Sequence, residues 1–268
     1  MKPENSYKII PANLMQLATK RNAKANLDPL LYGYQILLEK FNISRSGVIH
    51  LGGHIGEELP MYAALGFRNV VMVEPLPEEF KIMQTRIDDY NSTFISLSSF
   101  LGEEIRMKAH GVNCAISDES GLAKIYRTEI SSLSSLTKPV KGQFSDILDS
   151  LAYGELSVPC KTLDQLIDEL PNSWTNKDFS YLRMNIQGSE LKALKGGERF
   201  LKSILLIDLE ANTEMRYEDI PTRYDFDSYL NEHGFTPILS YSAGPAIANV
   251  LYLKSKLIPE HILSETND

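Results

Sequence analysis

The stretch VIHLGGHIGEELPMYAALGFRNVVMVEP, residues 48 to 75, limits what this chain can become more than any other. Val48, Ile49 and Leu51 form a short apolar run that stops at Gly52, Gly53 and Gly56. Leu59, Tyr62, Ala63 and Leu65 then recur at helical spacing until Gly66 can cap the helix, and a second apolar run, Val70 to Val73, ends on Glu74. This is the pattern of a β-α-β unit, whose two parallel strands open a crevice at their carboxyl ends.

Residues without a Cβ let the chain turn sharply and let a ligand lie against the backbone, while a carboxylate at the tip of the second strand can accept from two ribose hydroxyls. A nucleotide-like ligand is one reading of the turn; a tight βα connection with no ligand is the other. The glycine order is not that of a dinucleotide fingerprint, since Leu51 stands where its first glycine would be. Glu57 and Glu58 follow directly; they would repel a pyrophosphate at a helix N-terminus but not a cationic sulfonium or amine.

With 268 residues and 43% hydrophobic content, the chain can bury one large core without needing a second domain. Its formal net charge of -8 argues against a general nucleic-acid backbone binder. Cys114 and Cys160 lie in or beside apolar runs with no metal-ligand spacing, which predicts buried thiols in a reduced compartment and no metal site. No export signal or membrane-length run is visible, so a cytoplasmic protein without membrane contact is expected.

Residues 1–46 read as an N-terminal helical cap, with Asp28-Pro29 starting a helix along Leu31, Tyr34, Leu38 and Phe41, and a further short helix at Leu14 to Ala18. Residues 47–268 would form the main domain. After Glu74, Leu76, Phe80, Met83 and Ile87 line one face of a helix, residues 91–111 look like a serine-rich insertion, and Val112 to Ile116 reads as the next strand. Residues 127–157 are the least core-like part, a candidate lid or a peripheral decoration.

Tyr181, Leu182, Met184 and Ile186 suggest a buried parallel strand that leaves Asn185 and Gln187 at its end, with Gly188 releasing a helix at Glu190. These polar residues either face the same crevice as Gly52 or cap the loop. The run ILLIDLE, residues 204–210, is another strand, ending in Glu210 and followed by Asn212. The last two strands, residues 235–240 and 247–256, are joined by too few residues for a crossover helix and must pair antiparallel.

A mainly parallel α/β sheet with a C-terminal antiparallel hairpin looks like a class I S-adenosylmethionine-dependent methyltransferase, a Rossmann-like fold flanked by helices. GVIHLGGHIGEELPMY, VVMVEPLPEEFKIM, NCAISDESGLAKIY, SSLSSL, VPCKTLDQLI, YLRMNIQGSELKALKGGERFL and LLIDLEANTEMRYEDIPTRYDFDSYLNEHGF resemble, in this order, the FkbM family of methyltransferases. The resemblance extends over residues 48–256.

It implies S-adenosylmethionine as cofactor and, as acceptor, a hydroxyl on a sugar or small natural-product scaffold. Carried over by motif, Gly52, Gly53, His54 and Gly56 would surround the methionine part, with Glu74 and Pro75 at the ribose. Ala115, Ile116 and Ser117 would lie beside the adenine, and Asn185 and Gln187 beside the reacting centre. His54, Glu190 and Glu210 are the candidate catalytic residues, Glu210 being the expected proton acceptor or hydroxyl orienter. Two positions depart from the family pattern. His50 replaces an acid, and Asn185 sits where KIDVQG-like members carry a carboxylate; a neutral amide can orient a ligand but cannot act as a base. A binding or partner subunit that retains the fold without catalysis would make the second change intelligible.

Overall fold

The computed structural model describes residues 29–101, 107–140, 153–171, 174–212, 217–244 and 247–259. Helix α1 (Pro29–Lys40) opens on proline, whose missing N–H costs nothing in a first helical turn, and buries Tyr34, Leu37 and Leu38. The β-α-β unit follows as β1 (Gly47–Leu51), α2 (Leu59–Ala64) and β2 (Asn69–Val73). Then come α3 (Pro77–Leu101), β3 (Lys108–Val112), and the strands β4 (Ala115–Ser117), β5 (Gly121–Thr128) and β6 (Tyr153–Thr162). The chain continues through α4 (Leu163–Asp168), β7 (Tyr181–Met184), α5 (Glu190–Lys195), α6 (Glu198–Leu201) and β8 (Leu206–Asn212). Helix α7 (Arg223–Glu232) and the hairpin β9 (Phe235–Gly244) and β10 (Ile247–Lys254) complete it.

Seven strands form one sheet in the order β3-β2-β1-β7-β8-β10-β9. All pairs from β3 to β8 are parallel, whereas β10 runs antiparallel to both β8 and β9. Strand β1 therefore lies between β2 and β7, the point where the order of the parallel strands reverses. In open α/β sheets that reversal separates the loops at the carboxyl ends and leaves room for a ligand.

Alternation along the strands divides the interior in two. Ile49, Leu51, Val71, Val73, Leu182 and Leu209 face one core with Leu163, Leu194 and Phe226, while Val48, Val70, Met72, Tyr181 and Leu206 face another with Tyr34, Leu38 and Tyr62. The side chains of α1 thus share a core with the sheet. Burying each such leucine or valine contributes about 1.5 to 3 kcal/mol. A second sheet, β4-β6-β5, encloses a small cluster of Leu76, Ala115, Ile125, Val158 and Cys160.

Three sequence expectations are corrected. Residues 91–111 are not an insertion: α3 runs on to Leu101, and β3 occupies Lys108–Val112. As an edge strand pairing only with β2, KAHGV is incompletely buried and lacks the apolar run that marks the inner strands. The run Val112 to Ile116 is not one strand, because Asn113 Nδ2 donates to the Glu74 and Pro75 carbonyls and the chain turns there into the second sheet. Residues 127–157 are not one loop either, since their ends belong to β5 and β6. Residues 141–152 and the expected helix at Leu14 to Ala18 lie outside the described residues.

Candidate active site

At the carboxyl end of β1 the chain turns within two residues, the Gly52 and Gly53 amides both donating to the Val73 carbonyl at 2.9 Å. Gly52 has φ +82°, and a Cβ there would lie 1.9 Å from the Asn185 carbonyl oxygen, so only glycine lets β1 and β7 end this close together. Gly53 faces Met72 and Met83, and Gly56 faces Met83. Those two glycines seat the loop on α3 and are not among the residues that line the cleft above it.

That cleft encloses about 860 Å³, part of it open to solvent. From the expected set, Gly52, His54, Glu74, Pro75, Ala115, Ile116, Asn185 and Gln187 line it. Glu57, Glu58, Cys114, Ile125 and residues of a serine-rich strap, Ser131 to Leu136, complete the wall. Three carboxylates line the cleft and, among the described residues, no lysine or arginine does. Its chemistry suits a cation with a hydroxylated body and an apolar plate: acids at the loop, an acceptor at the tip of β2, and Leu76, Ala115, Ile116 and Ile125 on one wall.

Glu74 is buried, with Oε2 accepting from the His54 amide and Oε1 from the Leu76 amide, each at 2.9 Å. Burial pushes its carboxyl up to about 7 against the pull of those two amides. A carboxylate offers about four lone-pair sites, so two remain for hydroxyls of a ligand. His54, at φ +46°, places Nε2 at 2.9 Å from Ser131 Oγ and Nδ1 at 3.9 Å from Glu57 Oε2. Gln187, at φ +54°, is the other non-glycine residue of the cleft with a left-handed backbone. Each such conformation stores about 1 to 3 kcal/mol, which surrounding bonds must offset.

Those bonds are plain at Gln187. Its Nε2 donates to Asn185 Oδ1 at 2.7 Å and Glu210 Oε1 at 3.3 Å, Oε1 accepts from the Tyr217 hydroxyl at 3.0 Å, and its carbonyl accepts from Ser135 Oγ at 2.6 Å. Glu210 meets Gln187, which lines the cleft, and is not itself among the lining residues. Glu190 is turned away altogether: its oxygens accept from the Ile186 and Gly188 amides at 2.8 and 2.9 Å, and burial pushes its carboxyl up to about 7. Of the two expected roles for Glu190, the geometry is that of the loop cap. Ser117, with its hydroxyl on Asp118, also stands outside the cleft, one strand position beyond Ile116. The side chain of Asn212 lies outside the described residues.

A buried polar row escaped the sequence reading. His50, Arg183 and Asp208 are register partners on β1, β7 and β8. Asp208 accepts from Arg183 Nη1 at 3.1 Å, from Tyr181 at 2.9 Å, and from the Tyr34 hydroxyl. His50 Nδ1 lies 3.1 Å from the Tyr62 hydroxyl; burial, with the Arg183 charge, holds His50 well below the usual imidazole range and therefore neutral. The row ends at Glu58, whose oxygens lie 3.8 Å from Arg183 Nη2 and 4.0 Å from His50 Nδ1. Its signal was present in the sequence, as a charged residue inside each of two otherwise apolar strands, YLRM and LIDLE.

Seven strands in this order, with the antiparallel strand inserted beside β8 and a glycine turn and acid at the switch point, define a class I S-adenosylmethionine-dependent methyltransferase. The methyltransferase FkbM domain model matches residues 50–237, and the chain belongs to that family. Among solved structures it is similar to a methyltransferase FkbM from Methylobacillus flagellatus, with 16% identity and a TM-score of 0.47 over 90% of this chain and 58% of that one. It thus spans 58% of that relative's length. It is also similar to the magnesium protoporphyrin IX methyltransferase of Synechocystis solved with bound S-adenosylmethionine, with 9% identity, a TM-score of 0.42, and coverage of 91% and 85%. No curated protein matches it. No described helix is long and apolar enough to cross a membrane.

Proposed function

We propose that this methyltransferase acts on a hydroxyl of a sugar or similarly hydroxylated small molecule, with the cofactor in the cleft above β1. The observation that carries this reading is the lining itself: serines and the Asn185–Gln187 amide pair, with carboxylates and no lysine or arginine among the described residues. Such a surface orients a neutral hydroxyl by hydrogen bonds and disfavours a polyphosphate backbone. Through Leu136 the cleft adjoins a wider depression of mixed charge, with Lys138, Lys192 and Lys195 beside Glu218, Asp219 and Asp225, where the body of an acceptor would rest.

Bound S-adenosylmethionine supplies an electrophilic methyl group. The chain's part is to align the acceptor oxygen with it and to take the hydroxyl proton. Glu74 holds the ribose, the wall of Ala115, Ile116 and Ile125 holds the base, and Asn185 and Gln187 orient the acceptor. Of the three candidate catalytic residues, His54 alone faces the cleft. With its ring proton on Nδ1, toward Glu57, it accepts at Nε2, where Ser131 Oγ lies 2.9 Å away. Glu210 acts through Gln187 as a positioning residue, and Glu190 keeps the loop in place.

His54→Asn tests the assignment. Asparagine tolerates the positive φ and keeps the backbone amide that binds Glu74, but it has no basic nitrogen. With sugars and polyol-bearing small molecules as acceptors, kcat should fall roughly 10²- to 10⁴-fold while cofactor affinity stays within a few-fold. An unchanged kcat removes His54 from proton transfer. Cofactor binding by the wild type without turnover on any acceptor favours the non-catalytic partner subunit.

A further inference from the structure

Two carboxylates flank β1 at the switch point, and the structure holds them differently. Glu74 stands on the β2 side with both oxygens hydrogen-bonded to backbone amides. Glu58 stands on the β7 side, at the N-cap of α2, where its contacts are with Arg183 and His50. Those contacts, at 3.8 and 4.0 Å, are longer than hydrogen bonds. They hold the carboxylate electrostatically, its own backbone amide donates to it as well, and lone pairs remain for another donor. Arg183 is itself fixed by Asp208, Tyr34 and Tyr181, so the buried row works as a strut beneath Glu58. His50 is neutral and adds no charge. Glu57, the other acid of the loop, is 67% exposed at its side chain against 32% for Glu58, so water weakens its attraction more.

We infer that Glu58 docks the α-ammonium of the cofactor's amino-acid end, and that Arg183 and Asp208 are positioning residues that hold it there. This rests on the reading that the cofactor lies in the cleft with its ribose on Glu74. The two ends of the ligand would then be held on opposite sides of β1, hydroxyls on the β2 side and the cation on the β7 side, with the sulfonium between them. The ammonium is the part of that end that fits Glu58, because Glu57, Glu58 and Glu74 line the cleft and, among the described residues, no lysine or arginine does; the serines and amides of the wall are left for the α-carboxylate beside it.

The test uses ligands that carry or lack this end. S-adenosylhomocysteine has both the nucleoside and the amino acid, whereas 5′-methylthioadenosine has only the nucleoside. Both are titrated calorimetrically into the wild type, Glu58→Gln and Glu74→Gln, with the melting temperature of each protein as the check on folding. Glu58→Gln should bind S-adenosylhomocysteine roughly ten- to a hundredfold more weakly and 5′-methylthioadenosine within about twofold of wild type. Glu74→Gln should weaken both ligands. Unchanged S-adenosylhomocysteine binding by Glu58→Gln beside a loss in Glu74→Gln overturns the role of Glu58 and leaves the cleft standing. Equal loss of both ligands in Glu58→Gln also overturns it, since a general disturbance of the loop would do that. If neither variant changes either affinity, the placement of the cofactor fails. An arm that needs no variant compares S-adenosylhomocysteine with its analogue bearing hydrogen in place of the α-amino group. The wild type should lose roughly ten- to a hundredfold for the analogue, and equal binding overturns the proposal.

Discussion

Replacing Glu74 by glutamine alters the two sides of that carboxyl unequally. Its oxygens already accept from the His54 and Leu76 amides at 2.9 Å, and burial has raised its carboxyl to about 7. A glutamine keeps one acceptor and turns an NH₂ toward one of those donors, so ribose hydroxyls meet a weaker and partly reoriented partner. Loss of a hydrogen bond to a charged group costs about 1.5 to 3 kcal/mol, which lowers cofactor affinity about ten- to more than a hundredfold. The pH dependence is the sharper part. Hydroxyl donors favour the ionised carboxylate, so binding releases the proton that Glu74 carries below about 7. Wild-type affinity should therefore rise with pH up to that value and level off above it, while Glu74→Gln shows no such rise. Calorimetry with S-adenosylhomocysteine between about pH 5.5 and 8.5, in buffers of different ionisation enthalpy, reads both affinity and proton release. A variant that binds as tightly as wild type, or one that retains the slope, would refute the reasoning.

Asp208→Asn removes the charge facing Arg183 and should destabilise the protein by about 3 kcal/mol, since a broken buried pair leaves an uncompensated ion. Differential scanning calorimetry should then find the melting temperature roughly 6 to 12 °C lower. Glu190, raised to about 7 in the folded protein, holds its proton more tightly there than in the unfolded chain. Its contribution is complete below about pH 4.3 and is lost as pH climbs through 7, on the order of 3 kcal/mol in all. Urea denaturation of Glu190→Gln at several pH values should show a shallower decline across that window than wild type; an identical slope would remove Glu190 as its source.

The fold was legible where the core is simple. Inner parallel strands are buried on both faces, so β1, β2, β7 and β8 stand out as apolar runs, and the short 235–256 connection demanded an antiparallel pair that the structure contains. The edge strand β3 was missed because it pairs with a strand on one side and is closed on the other by the Asn91 side chain, which bonds the Ala109 amide and carbonyl, so it needs no apolar run; β4 was merged with it because the turn at Asn113 depends on a contact with Glu74, far away in sequence. The cleft was legible through its glycine turn and its acid. Side-chain direction was not: nothing in the spacing says that Gly53 faces Met83, that Glu190 folds back on its own loop, or that Glu210 stops at Gln187. The Glu190 outcome follows from which backbone amides lack partners once the loop is closed, and the other two from which side chains the assembled sheet brings alongside.

Leu76, Ala115 and Ile125 belong at once to the interior of the small sheet and to the wall of the cleft. Their cluster is slight, with Val158 and Cys160 as the other buried members and Ala123, Leu136 and Leu156 packed against it, Leu136 also lining the cleft. A flat apolar guest on that wall would act as a buried aromatic residue does elsewhere, supplying contacts that the polypeptide itself omits. The integrity of the small sheet would then be tied to the concentration of a metabolite, through the stabilisation that any ligand of the folded state confers.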